Sequence, residues 1–499
     1  MSSVAADGSW SVESGLQLQG LDAAWYNTAK GDYFRKVRAK VDAVVAANTD
    51  TGTIGSEANT LFARQLLLLY RVTLDVKYYR AAAAIRAQLA DACEADSIGA
   101  SCRAEPFLAE YAMVFQEPNE FAKVARQFKQ RDHSAHTGAD RAWLAAALVD
   151  ALVCYPSDDA GRAELVAMLH HLADEGNNSV DEPLMVYAMA KGARLGYLPA
   201  TDSGVALKAW KAIARPAGSE PGSGAALVAS AEIELAPTAT RARGETVLID
   251  AWYNSQQRKN AAGQMESFHY KWSDMADSGY SLVGHMFRSF GAAPGTLDSA
   301  PTRESLRNAQ FYLIVSPDIP VKNPHPHYMT EHDAGEIAEW VKEGGVLVMM
   351  ENDPANADLT HLNLLADHFG IHFDDVLHHH ILGEHVEDGA MPVDGKGPLF
   401  HHSHTLYMKD TCAISLHGRA TALFSDRGDV VMASAKFGRG TVFASVDPWI
   451  YNEYADGRKN RNIYDQFDNF AGGMEVVEWL VQQLPQAGKN PRKKENRAP

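Results

Sequence analysis

The sequence predicts a chain of two structured parts, an all-α array of helical hairpins followed by an α/β domain. Its 499 residues are too many for one ordinary hydrophobic core. Up to about residue 215, apolar residues recur with the period of helices, in paired segments. Beyond residue 245, short apolar runs of strand type alternate with helices. We therefore predict a helical domain over residues 10–236, an α/β domain over 245–485 and a basic, disordered tail over 486–499.

The helical part contains a repeat. The octapeptides TAKGDYFR at 28–35 and TLDVKYYR at 73–80 share a Thr, an aromatic pair and an Arg at the same spacing. Helical hairpins that repeat in this way indicate a stacked or closed α/α array. Periodicity and turn residues give about ten helices between residues 15 and 215, whereas a closed barrel of six hairpins needs twelve. Either a further pair follows Arg215, or the ring is incomplete.

Two linkers and a change of pattern mark the second part. The segments AGSEPGSG (217–224) and APTATRARGE (236–245) interrupt the helical pattern. TVLIDAWY (246–253), AQFYLIVS (309–316) and VLVMM (346–350) are typical of buried strands, and residues 430–446 predict a β-hairpin. Thr330 and Asp333 form the pattern of a capping box that opens a helix. These elements favour a mostly parallel sheet.

Composition excludes several classes of function. The hydrophobic share of 46% and charged share of 22% are typical of soluble globular proteins, and the net charge of −17 argues against nucleic acid as a partner. No apolar run is long enough to cross a bilayer, and the N-terminal stretch lacks the pattern of a secretory signal. The four cysteines form no CxxC pair, which favours a reducing, cytoplasmic setting. The sequence leaves a homo-oligomer open.

Five motifs together resemble the family 88/105 glycoside hydrolases. They are AWYNTAKGDYF, RQLLLLYRVTLDVKYYRAA, AEPFLAEYAMVFQEP, AWLAAALVDAL and VYAMAKGARLGYLPATDSGVALKAWKAI, and they span roughly residues 10–235. The resemblance implies an α/α barrel, or toroid, that hydrolyses unsaturated uronyl oligosaccharides without a cofactor. In this family one Asp protonates the C4=C5 enol ether and activates water for attack at C5. An oligosaccharide is therefore the expected partner.

The resemblance also implies site residues. Asp132 matches the catalytic acid and base best, in a loop where Arg131 and His133 flank it. Arg141, Trp143 and Trp25 are the further residues expected to bind substrate, as a cation for the uronate and as aromatic rings for the sugar. No metal ligand is expected among them.

Three loops depart from the family pattern and keep an alternative open. The departures lie at Asp96–Arg103, Gly138–Ala142 and Gly218–Gly224, whereas the helices that hold these loops are retained. Because rim loops build the binding cleft of such a barrel, their loss would preserve the fold and erase the pocket. The alternative is an inactive barrel that acts as a carbohydrate-binding or assembly module, with function moved to the α/β domain.

The second part is similar to the glutamine-amidotransferase-like, flavodoxin-like domain that some family members carry. The similarity rests on FHYKWSD (268–274), SGYSLVGH (278–285), ENDPAN (351–356) and VDPWIYNEY (446–454). Glutaminase activity is not expected, because no cysteine lies in the turn after VLVMM. A second candidate site for a sugar or a subunit contact comprises His269, Lys271, Trp272, Asp274, His285, Asn352 and Asp353. An internally bonded structural network is an equal alternative, and metal binding by the His-rich loops is the weakest option, since HExxH spacing is absent.

Overall fold

A computed structural model describes most of the chain. The described residues are 10–47, 58–92, 104–132, 137–176, 180, 182–213, 223–383, 385–455 and 463–485. The predicted tail at 486–499, His133, Asp96–Arg103 and most of the Gly218–Gly224 linker lie outside the described residues.

Eleven helices precede residue 234 within the described residues, and they form two layers. Odd-numbered helices form an inner ring, in which each contacts the next and α11 returns to α1. Even-numbered helices lie outside this ring, each against at least one inner neighbour. The inner helices are α1 (Val12–Thr28), α3 (Ala58–Thr73), α5 (Glu105–Val114), α7 (Gly138–Leu152), α9 (Pro183–Arg194) and α11 (Gly224–Ile233). The outer helices are α2 (Gly31–Ala47), α4 (Val76–Ala92), α6 (Pro118–Asp132), α8 (Arg162–Gly176) and α10 (Thr201–Ile213).

The ring closes at the contact between α1 and α11. A Cβ at Gly224 would lie 2.6 Å from the Gln17 backbone nitrogen, and one at Gly20 would lie 2.7 Å from the Leu227 Cβ, so glycine is needed for this approach. The expectation of about ten helices between residues 15 and 215 agrees with α1 to α10. The sequence left open whether a further pair of helices follows Arg215. Within the described residues a single helix, α11, follows it and completes the inner ring, and no outer helix comes after α11 in the chain before β1 (Thr246–Asp250).

The α/β half contains a mixed sheet of seven strands. Its order is β11-β12-β13-β6-β5-β1-β4, and the pairs from β13 to β4 are parallel. Within this sheet, the next strand along the chain after β1 is β4, which lies on one side of β1, and the strand after that, β5, lies on the other side. The strand order therefore changes direction between β1 and β5. The flavodoxin-like assignment stays a prediction. The strands are β1 (Thr246–Asp250), β2 (Gln257–Lys259), β3 (Met265–Ser267), β4 (Ala293–Leu297), β5 (Phe311–Val315), β6 (Val346–Met350), β7 (Ile371–His378), β8 (Ala390–Val393), β9 (His404–Tyr407), β10 (Thr411–Leu416), β11 (Thr421–Asp426), β12 (Asp429–Phe437) and β13 (Gly440–Ser445).

Local sequence explains these elements. Every residue of β5 and β6 is buried, as expected of central parallel strands covered on both faces. The predicted capping box of Thr330 and Asp333 is present at the start of α14, and α15 is capped by Asp358, whose side chain accepts from the His361 backbone nitrogen. The helices of this half are α12 (Ser281–Ser289), α13 (Arg303–Leu306), α14 (Glu331–Lys342), α15 (Leu359–Ala366), α16 (Ile463–Gln466) and α17 (Asn469–Gln482).

The α/β half covers one end of the helical ring. Side chains at the C-terminal ends of α1, α3, α5 and α9 donate hydrogen bonds to backbone carbonyls of the α/β half. Helix α12 lies against α1, where the Tyr26 hydroxyl donates to the Ser281 Oγ at 3.3 Å. The opposite end of the ring, at the N-terminal ends of the inner helices, is therefore the end where an open mouth is expected.

Candidate functional site

The mouth of the barrel is formed by the starts of the inner helices. Five apolar or aromatic side chains, one from each of α1, α3, α5, α7 and α9, surround a small gap on the barrel axis: Leu16, Leu61, Pro106, Trp143 and Leu184. The gap has a volume of about 20 Å³, which is room for about one water molecule. Because all five helices begin here, the positive ends of their macrodipoles converge on the mouth.

A buried carboxylate network forms the floor below this gap. Asp150 accepts hydrogen bonds from Gln19 Nε2 at 3.0 Å, Arg64 NH1 at 2.6 Å, Tyr187 Oη at 2.5 Å and Lys191 Nζ at 2.6 Å. Burial opposes ionisation of Asp150, but the Lys191 and Arg64 cations outweigh burial and hold its pKa well below the usual range. The floor is therefore an ionised and fully bonded carboxylate.

A second carboxyl lies deeper on the axis. Burial, helped by the nearby Glu110 carboxylate, raises the pKa of Asp22 to about 7, although Arg64, Lys191 and Arg71 oppose the rise. Its Oδ1 is buried without a hydrogen-bond partner among the described residues. A carboxyl that titrates near neutral pH is suited to acid catalysis, and it is also the ordinary result of burial.

The predicted catalytic loop lies at the mouth end of the barrel. Asp132 is the last residue of α6 and is half-buried, so it ends a helix, whereas a loop had been expected. Its neighbour Arg131 donates from Nε to Glu105 Oε1 at 2.5 Å and so joins the end of α6 to the start of α5. Burial raises the pKa of Glu105 to about 7 against the effect of Arg131. The Arg131 guanidinium is therefore paired with Glu105 and links α6 to α5 at the mouth.

The remaining barrel residues divide into two sets. Arg141 and Trp143 lie on the first two turns of α7, which a Thr137–Asp140 capping box opens, and Trp143 reaches the mouth. Trp25 does not reach it. Its side chain is 1% exposed, and its Nε1 donates to the Ala455 carbonyl at 3.2 Å at the opposite end of the barrel. The expectation that Trp25 stacks on a sugar is therefore corrected, because packing covers both faces of the ring.

Three residues of the second candidate site meet after β1. Lys271 Nζ donates to Asn254 Oδ1 at 3.0 Å and to the His269 carbonyl at 3.1 Å, and Asp274 Oδ2 accepts from the His269 backbone nitrogen at 3.0 Å. Burial lowers the pKa of His269 to about 3 and that of Lys271 to about 8. Trp272 is bonded elsewhere, from Nε1 to the Gly295 carbonyl at 2.7 Å. The three polar residues form an internally bonded network, which was the alternative named for them.

The other three residues of that site have their hydrogen-bond partners outside the network of His269, Lys271 and Asp274. His285 on α12 faces the barrel, where its Nε2 lies 3.0 Å from Asn27 Oδ1 and burial lowers its pKa to about 3. Asn352 lies beside the Tyr270 hydroxyl. Asp353 accepts from the Ala355 backbone nitrogen and from Asn356 Nδ2, within its own turn. His285 therefore belongs to the contact between the halves and not to the sheet edge.

Sequence reasoning missed the charged residues of the barrel axis and one at the sheet edge. Arg64 and Asp150 stand inside the apolar runs LFARQLLLL and AAALVDAL, and a charge on an otherwise apolar helix face is the signal that could have found them. Glu351 directly follows the central strand β6, is 0% exposed, and has no hydrogen-bond partner for either carboxyl oxygen among the described residues. Burial raises its pKa well above the usual range, which favours the neutral form of this carboxyl.

Several histidines of the second half pair with carboxylates, among them His361 with Asp358, His378 with Asp429 and His380 with Asp410. No group of three or more His, Cys, Asp or Glu side chains in the described part of the chain is arranged to hold a metal ion. His402 and His404 instead share the Glu475 carboxylate, at 2.5 and 3.2 Å. None of the described helices combines the length and the apolar character that crossing a membrane requires.

Comparison with known proteins gives a likeness of structure only. No family profile and no curated protein matches the chain. A family 105 glycoside hydrolase from C. acetobutylicum ATCC 824 is 18% identical, with a TM-score of 0.39 over 46% of this chain and 95% of that one. A family 88 glycosyl hydrolase from Bacteroides vulgatus is 13% identical, with a TM-score of 0.37 over 45% and 91%. A polysaccharide lyase is 14% identical, with a TM-score of 0.37 over 45% and 90%. Similarity at this level transfers no activity to the chain.

Proposed function

We propose that this protein acts on acidic carbohydrate and hydrolyses unsaturated uronyl oligosaccharides, of rhamnogalacturonyl or glucuronyl type, at the mouth of the barrel. The observation that carries the proposal is the composition of the mouth. Five helix starts converge there above the Arg64 cation and beside Trp143, which suits a ligand with a negative charge and a sugar ring. The sequence motifs of the barrel supply the substrate class.

In this proposal Asp132 is the acid and base. It protonates the C4=C5 enol ether, then activates the water that attacks C5, and the hemiketal collapses to release the aglycone. Arg141 pairs with the uronate, Trp143 packs on the ring, and Arg131 positions the rim through Glu105. His133 is proposed as a further substrate contact. No cofactor is required, and we propose a cytoplasmic setting from the cysteine pattern.

The test follows the ultraviolet absorbance of the enol ether. Purified wild type is incubated with a panel of unsaturated uronyl disaccharides, and the absorbance is expected to fall as the double bond is hydrated. Asp132→Asn should remove most of the activity, since general acid–base catalysis is worth roughly 10²–10⁴-fold. Asp159→Asn, the same change in a turn after α7 at the other end of the barrel, should leave it intact. An unchanged absorbance with every wild-type reaction contradicts the hydrolase; equal activity of Asp132→Asn contradicts the assigned mechanism.

A second candidate function is favoured by the size of the axial gap. The gap of about 20 Å³ is too small for a sugar ring, and the Asp150 carboxylate below it already accepts four hydrogen bonds. A sugar therefore cannot reach Asp150 through this gap. The second candidate is an inactive barrel that serves as a carbohydrate-binding or assembly module, with function moved to the α/β half. It predicts that uronyl oligosaccharides bind in calorimetry without any loss of absorbance. Hydration of the double bond by wild type would rule it out.

A further inference from the structure

A cavity of about 380 Å³ lies between the two halves, at the end of the barrel opposite the mouth. We name it the interface cleft. The C-terminal ends of α3 and α5 line one wall, and the β2–β3 hairpin with residues 271–275 lines the other. Its volume falls within the range of roughly 300–1,000 Å³ that small-molecule sites occupy, whereas the gap at the mouth does not.

The two arginines that line the cleft differ in how firmly their guanidinium groups are held. Arg258 is committed, because its Nε donates to Glu266 Oε1 at 2.7 Å and its NH2 donates to Asp274 Oδ1 at 3.0 Å. Arg71 is held less firmly. Its NH1 lies 3.3 Å from Glu110 Oε1 and its NH2 lies 3.3 Å from the Ser273 carbonyl, both beyond the usual range of such bonds. A ligand carboxylate would offer Arg71 shorter and stronger contacts.

The edge of the same cleft is apolar and exposed. Leu74, Met113 and Met265 are 37%, 36% and 51% exposed, and all three line the cleft. Large apolar side chains gathered around a cavity mark a place where an apolar surface is covered on binding. Methionine adapts its shape to flat or irregular partners, so Met113 and Met265 suit an aromatic or aliphatic body.

The charge balance of the cleft differs from that of the chain. Its lining holds three cations, Arg71, Arg258 and Lys271, against two acids, Glu266 and Asp274, so its formal charge is +1. The whole chain carries −17. Counting also the Glu110 carboxylate that pairs with Arg71 makes the cleft neutral, so an anion meets less repulsion there than the charge of the whole chain implies.

We propose that the interface cleft binds a small organic carboxylate with an apolar body, its carboxylate paired with Arg71 and its body packed against Met113 and Met265. This site is separate from the barrel mouth and does not depend on the hydrolase function. Because its two walls belong to different halves, the bound acid links the C-terminal ends of α3 and α5 to the β2–β3 hairpin.

The test uses 2-naphthoate as the probe and 2-naphthamide as its uncharged counterpart. Full-length protein with isotope-labelled methionine methyl groups is titrated in NMR, with the two signals assigned from Met113→Leu and Met265→Leu. Naphthoate should move both assigned signals, and calorimetry should show that it binds at least about tenfold more tightly than the amide. Equal affinity for acid and amide overturns the proposal, and so does a titration that moves other methionine signals only.

Two variants test separately the contribution of the Arg71 cation and that of the apolar edge of the cleft. Arg71→Gln should weaken naphthoate binding by about tenfold or more, whereas Arg86→Gln, a comparably buried arginine on α4 that pairs with Glu117 and Glu120, should not. If Arg71→Gln does not fold, Met265→Glu decides, because a negative charge on this exposed residue should repel the probe. Val321→Glu, at 83% exposure outside the cleft, adds the same charge as the control. Unchanged affinity in a folded Arg71→Gln or in Met265→Glu overturns the proposal.

Discussion

Replacing Asp150 by Asn should destabilise the barrel, because two cations on its axis would lose their carboxylate. The Asp150 side chain is 4% exposed, and it lies 2.6 Å from both Lys191 Nζ and Arg64 NH1. Removing one partner of a buried ion pair costs about 3–5 kcal/mol. Lys191 and Arg64 retain 16% and 19% exposure, and Arg64 also lies 3.5 Å from Glu110, so some of their charge remains compensated. We therefore expect a loss of about 3 kcal/mol in the free energy of unfolding.

Urea unfolding, followed by far-ultraviolet circular dichroism, measures this loss. Asp158→Asn, an exposed aspartate that follows α7, is the control and should change the free energy by less than about 0.5 kcal/mol. The double variant Asp150→Asn/Lys191→Met should recover part of the loss, because it removes a charge that the single variant leaves unpaired. A loss below about 1 kcal/mol, or a double variant equal to the sum of its parts, would refute the reasoning.

The same variant has a pH signature. The folded-state pKa of Asp150 is depressed, so its contribution is present above the unfolded carboxyl pKa of about 3.9 and is lost as pH falls below it. The difference between wild type and Asp150→Asn should therefore persist between about pH 5 and 8 and shrink in acid.

The remaining predictions concern single groups. The pKa of Asp22 is raised to about 7, so the contribution of its neutral form is full below the unfolded carboxyl pKa of about 3.9 and is lost as pH rises through 7. Asp22→Asn should raise the melting temperature relative to wild type above about pH 8, and this advantage should shrink as pH falls and be lost only near about pH 4. A Cβ at Gly279 would lie 1.8 Å from the Asp274 carbonyl oxygen, so Gly279→Ala should cost at least about 2 kcal/mol in urea unfolding. Thr330→Ala removes the cap of α14 and should cost about 1 kcal/mol, whereas Thr330→Ser should cost little; equal losses in the two variants would contradict a capping role.

Much of the fold follows from local sequence, because period and end signals act over a few residues. The helical hairpins, the parallel strands β1, β5 and β6, and the Thr330–Asp333 box were predicted on that basis. The closing helix α11 was not predicted. Its own residues are small or apolar on every face, and no charge before Glu232 marks a face that would point to solvent. Its role depends on contact with α1, where the Gly224 backbone nitrogen donates to Glu13 across 211 positions, and no local pattern encodes that contact.

For the site residues, too, contacts between sequence neighbours could be predicted, whereas contacts between distant positions could not. His269, Lys271 and Asp274 are close in sequence and were expected to meet, and they do. The axial network joins Gln19 to Asp150 across 131 positions, so its existence depends on the ring and not on spacing. The assignment of Asp132 remains a prediction. His285 was grouped with the sheet edge because it follows β1, but α12 turns it toward Asn27.

The single-helix closure of the ring has a consequence for dissecting the protein. Every other inner helix has an outer helix of its own hairpin against it, whereas within the described residues α11 leads directly into the α/β half. Cutting the chain at the predicted boundary would open the ends of α1, α3, α5 and α9 to water and strip Trp25 and Tyr26 of their partners. A fragment ending near residue 236 should therefore aggregate or stay partly unfolded when produced alone. Although the sequence predicts the two halves as separate domains, we expect these contacts to make them unfold as one cooperative unit.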